Sequence, residues 1–177
     1  MSIFAPDLYR DRLTAITPGD LDALGVKGLF LDVDNTLTRH RSQYLDPDVE
    51  IWLAEMQAAG YALTVVSNSD PGRVRPFAQR IGLRCISFAC KPCPFGFWRA
   101  ARRLGPSVRS VTGAEIPVCA AVGDQVFTDI LGAHAAGVKS IQVMPIELET
   151  GKPLMQLKRR IEKRIIAKHK PDDNQKG

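Results

Sequence analysis

Two aspartates one residue apart, Asp32 and Asp34, close the apolar run in "LFLDVDNT", and a second acidic pair, Asp124 and Asp129, closes "CAAVGDQVFTD". Carboxylates gathered at one point repel each other unless a hard divalent cation neutralises them. Mg2+ takes such oxygen ligands while keeping waters and substrate phosphate in its shell. Asp32, the backbone carbonyl of Val33 or Asp34, and Asp124 are candidate ligands. A carboxylate can also attack phosphorus, giving an aspartyl-phosphate and dividing hydrolysis into two easier steps. A second carboxylate two residues on would protonate the leaving oxygen and then take a proton from water. Ser67 in "SNSD" and Lys91 in "CKPC" would hold the oxygens on which charge builds.

Lys91 lies between two thiols, Cys90 and Cys93, and that spacing admits other readings. A redox pair needs both thiols at a helix N-terminus with Cys90 exposed and acidified. A zinc site needs two further ligands, for which Cys85, Cys119 and three histidines are available. The lysine already accounts for the position, with Pro92 fixing its loop, so the cysteines are expected to be frame residues.

The elements that must position these groups alternate between apolar runs and amphipathic segments from about residue 17 to residue 145, the pattern of a parallel sheet covered by helices. Thr17 is a candidate N-cap, with Pro18 at the first helical position and Asp20 in the first turn. Five strands are expected, in "VKGLFLD", "ALTVVS", "LRCISFA", "PVCAAVGD" and "VKSIQVM". Between them, Pro47 to Ala59 and "PGRVRPFAQRIG" read as helices, the second with Pro76 inside, followed by "PFGFWRAARRLG" and a helix near "FTDILGAHAAG". Trp52, Phe77 and Trp98 fall at core spacing. In an open parallel sheet ligands bind beyond the carboxyl ends of the strands, and the acidic pairs, Ser67 and Lys91 all fall there.

Composition bounds the rest. A chain of 177 residues with 45% hydrophobic content suits one core domain. No run approaches the ~20 apolar residues that span a bilayer, and the N-terminus lacks a signal-peptide layout, so a cytoplasmic protein is expected. Residues 151–177 carry a net +6 while the first 150 carry −1, so the division is into a domain over 1–150 and a basic tail over 151–177.

The constellation resembles the haloacid dehalogenase superfamily of phosphatases: DxDxT at Asp32, Asp34 and Thr36, Ser67 at a strand end, a lone Lys91, and GDxxxxD at Asp124 and Asp129. The resemblance implies a Rossmann-like three-layer sandwich around a five-stranded parallel sheet, and a Mg2+-dependent phosphatase. It assigns Asp32 as nucleophile, Asp34 as acid and base, and Asp124 as metal ligand. Asp129 would orient Lys91 or a metal-bound water, which places it with Asp32, Asp34 and Asp124 in the metal set. A response-regulator receiver uses a similar sheet, but needs its acidic pocket and lysine on other strands. "ITPGDLDALGVKGLFLDVDNTLT", "KPCPFGFWRA" and "VGDQVFTDILGAHAAGVKSI" are further similar to the YqeG group, which is related to mitochondrial-type phosphatidylglycerophosphatases.

The loops leave no room for a large lid after the first motif or between the second and third, and an open site suits phosphate on a large or surface-bound substrate. In the tail, Leu154, Leu157, Ile161 and Ile165 make an apolar stripe flanked by Lys and Arg, suited to peripheral contact with an anionic membrane or to docking on the domain. Phosphatidylglycerophosphate, an anionic phospholipid, is the expected substrate. A phosphoprotein or nucleic-acid end, or a non-catalytic RNA- or ribosome-binding module, is the alternative. Asn68 would donate to the substrate phosphate or cap its turn, and His40 and Arg41 would touch a substrate or stand solvated. Gly113 to Pro117 have no assigned role.

Overall fold

The computed structural model describes residues 2–104 and 118–147. The tail and the Gly113–Pro117 segment, for which expectations are given above, lie outside the described residues. In chain order the elements are β1 (Leu8–Arg10), α1 (Pro18–Ala23), β2 (Gly28–Leu31), α2 (Pro47–Ala58), β3 (Ala62–Val66), α3 (Pro71–Arg80), β4 (Arg84–Ile86), α4 (Phe95–Leu104), β5 (Cys119–Gly123), α5 (Leu131–Ala136) and β6 (Lys139–Val143). A single π-helical turn, Val126–Ile130, leads into α5.

The strands form one parallel sheet in the order β1-β6-β5-β2-β3-β4. This is six strands where five were expected. The addition, β1, is short and half-buried, and it is a strand because it pairs with β6 in the register Leu8↔Ile141. Asp7 secures the pairing by accepting from the Ser140 backbone N–H at 2.9 Å and from its hydroxyl at 3.0 Å.

β2, the central strand, is buried along its whole length between β3 and β5. One face of the sheet packs Val49, Trp52, Leu53 and Met56 of α2 with Val74 and Phe77 of α3, and the other packs Phe97 and Ala100 of α4 with Ala133 and Ala136 of α5. The sheet is therefore covered on both sides, as parallel sheets require. Trp98 departs from its expected core position: it is exposed, while its neighbour Phe97 turns inward against Phe30 with ring centroids 5.9 Å apart. Adjacent residues on a helix point about 100° apart, so one ring of the pair enters the core and the other faces out.

α1 starts as its sequence predicts. The Thr17 hydroxyl accepts from the Asp20 N–H, and the Asp20 carboxylate accepts from the Thr17 N–H, a reciprocal capping box. Among the described residues, α2 alone is inserted between β2 and β3 and α3 alone between β3 and β4, so no cap covers the carboxyl edge.

Candidate active site

Every strand that carries a motif delivers it to that edge. Asp32 follows β2, where its N–H donates to Val122 O at 3.0 Å and its carboxylate is buried. The chain then turns around the Val33 carbonyl, which accepts from the N–H groups of Thr36, Leu37 and Thr38, with Asn35 left-handed at φ 66°. Of the two backbone carbonyls proposed as metal ligands, Val33's is thus occupied by the turn. Ser67 ends β3, and its hydroxyl accepts from the Ser69 N–H at 3.2 Å.

Lys91 is held at both ends. Its N–H donates to Asn68 Oδ1 at 2.7 Å and its carbonyl accepts from Asn68 Nδ2 at 2.9 Å, so the Asn68 side chain works as a clasp on the lysine loop. Its ammonium donates to Asp32 Oδ1 at 2.7 Å and Asp129 Oδ1 at 2.5 Å. Asp129, in the π-helical turn, is fixed in place as its second oxygen accepts from the Gln125 N–H at 3.2 Å. Gly123 makes room for it: a Cβ there would collide with the Asp129 carboxylate.

Asp32, Asp124 and Asp129 are all buried, with ligand oxygens within 4.8 Å of one another. Burial pushes the Asp32 carboxyl up to about 7, Lys91 opposing the rise and the charges of Asp129 and Asp124 adding to it. Burial alone would lower the Lys91 ammonium, but Asp129 and Asp32 outweigh it and hold its pKa above the usual lysine value. With all three carboxylates ionised beside one ammonium, the buried space would carry a net charge of −2. A divalent cation with oxygen ligands fits that deficit.

The Asp34 carboxylate belongs to a different group. It accepts from the Arg41 N–H at 2.7 Å, the Ser69 hydroxyl at 2.9 Å and Arg73 Nη2 at 3.1 Å, with His40 Nδ1 at 4.0 Å. Burial alone would raise its pKa, but these donors hold it below the usual carboxylate value. Arg41 reaches the site through its backbone. Two contributors, Ser69 and Arg73, were not anticipated. Arg73 had a legible signal: a cation in the first turn of a helix opposes the helix dipole, and one placed there next to a strand-end motif has a partner elsewhere.

Cys90 and Cys93 are exposed, and among the described residues the metal-type cluster contains no thiol. Their loop is shaped by the Cys93 N–H donating to Cys90 O at 2.8 Å. The lysine between them is what the loop presents to the site.

Residues 41–137 match the family model "haloacid dehalogenase-like hydrolase". The chain belongs to that family. It is therefore a hydrolase, and the haloacid dehalogenase likeness read from the four motifs holds. Over 164 residues it is 32% identical to the "Probable phosphatase YqeG" of Bacillus subtilis (strain 168), an alignment covering 93% of this chain and 90% of that protein. In fold it is similar to a protein from Listeria monocytogenes serotype 4b, with TM-score 0.52 and 16% identity over 73% of this chain and 88% of the other. It is also similar to a Legionella pneumophila protein assigned to HAD subfamily III A, with TM-score 0.50 and 13% identity over 84% and 87%. Phosphatases of this haloacid dehalogenase family use Mg2+, which the Asp32, Asp124 and Asp129 donor set accommodates. No helix among the described residues is long and apolar enough to cross a membrane.

Proposed function

We propose that this haloacid dehalogenase-family hydrolase is a phosphoric monoester phosphatase acting through an aspartyl-phosphate on Asp32, with phosphatidylglycerophosphate as substrate and phosphatidylglycerol as product. The observation that carries the chemistry is the division of the strand-end carboxylates into two groups: Asp32 with Asp124 and Asp129 around the Lys91 ammonium, and Asp34 apart among Ser69, Arg41 and Arg73. When bound, Mg2+ supplies charge neutralisation to the phosphoryl oxygens and to the Asp32, Asp124 and Asp129 donor set.

Asp32 Oδ attacks phosphorus, the bond from phosphorus to the ester oxygen breaks, and Asp34 gives its proton to the departing alkoxide. The substrate's phosphate dianion beside Asp34 favours the protonated form needed there. Asp34, now ionised and held so by the Arg41 N–H, the Ser69 hydroxyl and Arg73, takes a proton from water. The water oxygen attacks phosphorus, the bond to Asp32 breaks, and inorganic phosphate leaves. Lys91 fixes the orientation of Asp32 and stabilises the equatorial oxygens, while Ser67 donates to one of them. Asn68 keeps the lysine loop in place.

The lipid assignment is supported by the absence of a cap among the described residues, while the likeness to the probable phosphatase YqeG supports the phosphatase reaction. A phosphomonoester projecting from a bilayer reaches such an open edge without having to be enclosed. The test compares Mg2+-dependent phosphate release from phosphatidylglycerophosphate in mixed micelles, from phosphopeptides and from 5′- and 3′-phosphorylated oligonucleotides, for wild type and Asp32→Asn. Preferred turnover of the lipid, abolished in Asp32→Asn, is expected. Preference for either other class defeats the lipid assignment, and identical behaviour of the two proteins defeats the mechanism.

A further inference from the structure

Of the exposed large hydrophobic side chains, all but Ile3 and Ile51 gather toward one end of the sheet. Tyr44 follows β2, Phe88 follows β4, Phe95 opens α4, and Met144 and Ile146 follow β6, so all five stand at the carboxyl edge of the sheet. Trp98 lies one turn behind Phe95 on α4. Phe88 is 58% exposed and Phe95 63%, and the two flank the Lys91 loop. Rings this exposed beside a functional loop are a recognised mark of an interaction surface.

The surrounding charge is one-sided. Along α4, from Phe95 to Leu104, the chain contains no aspartate or glutamate, while Arg99, Arg102 and Arg103 are all exposed. The tally over the first 150 residues conceals this cationic side, because acidic groups elsewhere cancel it. On α4, Phe95, Trp98, Arg99 and Arg102 share the face opposite the buried Phe97 and Ala100. With a helical rise of ~1.5 Å per residue, Arg99 and Arg102 stand ~6 Å and ~10 Å behind Phe95. That layering, apolar tip first and guanidinium groups behind, matches the acyl boundary and phosphate level of a bilayer.

We propose that Phe88, Phe95 and Trp98 together with Arg99 and Arg102 form a docking face for an anionic bilayer, which brings the Lys91 edge of the sheet against lipid headgroups. The inference deepens the lipid reading above and rests on it for the choice of a bilayer. Single-stranded nucleic acid, the other polyanion that meets arginine and aromatic groups, stacks its bases on open ring faces. Here Phe95 and Trp98 pack edge to face at 5.6 Å and 89°, and the Trp98 indole N–H donates inward to Ala136 O at 3.2 Å. The pair thus presents hydrocarbon outward with its one polar donor engaged.

The experiment uses the full chain in flotation with phosphatidylcholine vesicles, with and without phosphatidylglycerol. Wild type is compared with Phe88→Ser/Phe95→Ser and with Arg99→Glu/Arg102→Glu, each checked by thermal melt and by hydrolysis of a soluble aryl phosphate. Binding that requires phosphatidylglycerol and falls by about tenfold or more in both variants, with melts unchanged, is the expected result. Variants that float as wild type does overturn the proposal. So does loss of oligouridylate binding with vesicle binding intact, which assigns the face to nucleic acid, or conversion of an oligomer to a monomer with vesicle binding intact, which assigns it to a second copy. Vesicle binding without phosphatidylglycerophosphate turnover sinks the substrate reading alone; turnover in micelles without vesicle binding sinks the docking face alone.

Discussion

Lys91 Nζ lies 2.7 Å from Asp32 Oδ1, and both groups are buried. The ammonium reaches the carboxylate from a loop after β4, crossing β3 to a residue at the end of β2. Its presence lets a carboxylate exist as an anion in a place where burial otherwise favours the protonated acid.

One expected outcome follows from the raised Asp32 pKa. An acid whose folded pKa exceeds its unfolded value holds more protons when folded. Between the ordinary 3.8 and about 7, stability from this group therefore falls as pH rises. In chelator, the melting temperature of wild type should decline relative to Asp32→Asn across that window, and saturating Mg2+ should remove the decline. A wild-type curve parallel to the variant's in chelator contradicts the assignment.

Replacing Lys91 by alanine leaves Asp32 and Asp129 facing each other without their shared cation. Phosphatase turnover should drop by about 10²–10³-fold, by comparison with other preorganised donors. The melting temperature in chelator should fall as well, since breaking a buried ion pair costs about 3–5 kcal/mol. Cys90→Ser/Cys93→Ser should keep most of the activity. A metal assay that finds stoichiometric zinc in wild type and none in the double cysteine variant would reverse this expectation.

The Arg41 N–H, the Ser69 hydroxyl and Arg73 together hold Asp34 as an anion against its burial, so Arg73→Ala should raise the Asp34 pKa. The acid limb of the kcat profile then moves to higher pH, because the second step needs Asp34 ionised. Arg73→Lys should restore part of the shift. An unmoved limb would show that Arg73 serves packing against Phe77, over whose ring it lies at 5.6 Å.

Gly123→Ala tests the close approach between β5 and the π-helical turn. The added methyl occupies the place of the Asp129 carboxylate, so Lys91 loses one of its two anchors. A stability loss of about 1–3 kcal/mol by denaturant titration is expected from the overpacking, together with a fall in turnover. Wild-type activity in this variant would mean that Asp129 can move without disturbing Lys91.

The central strands, the helices between them and the strand-end polar groups were legible because each depends on local pattern: apolar runs, a Thr17–Asp20 cap, motifs at fixed spacing. β1 was not, since Leu8–Arg10 is too short to show a period and owes its state to β6, far away in sequence. Trp98 misled because periodicity gives a helix a buried stripe without saying which of two adjacent rings occupies its centre. Ser69 and Arg73 escaped for a different reason. Their role is a hydrogen bond to Asp34 across the gap between two strand-end loops, which no spacing within one segment encodes. The basic outer face of α4 was hidden by counting charge over the whole domain, where acids on other elements cancel it.

The hydrogen bonds from Ser140 to Asp7 span 133 positions of chain. A ribosome delivers Asp7 well before Ser140, so β1 waits for its partner while the whole stretch of chain between them is made. β2 likewise lacks its β5 neighbour, and with it Asp124 and Asp129, until late. A nascent chain stalled after β4 presents Asp32 and Lys91 without their two companion carboxylates. Sheet completion, metal competence and closure of the amino-terminal strand therefore become late events on the same stretch of polypeptide, and contacts of such long range fold slowly. Enzyme activity appearing during translation would consequently report the arrival of β5 and β6.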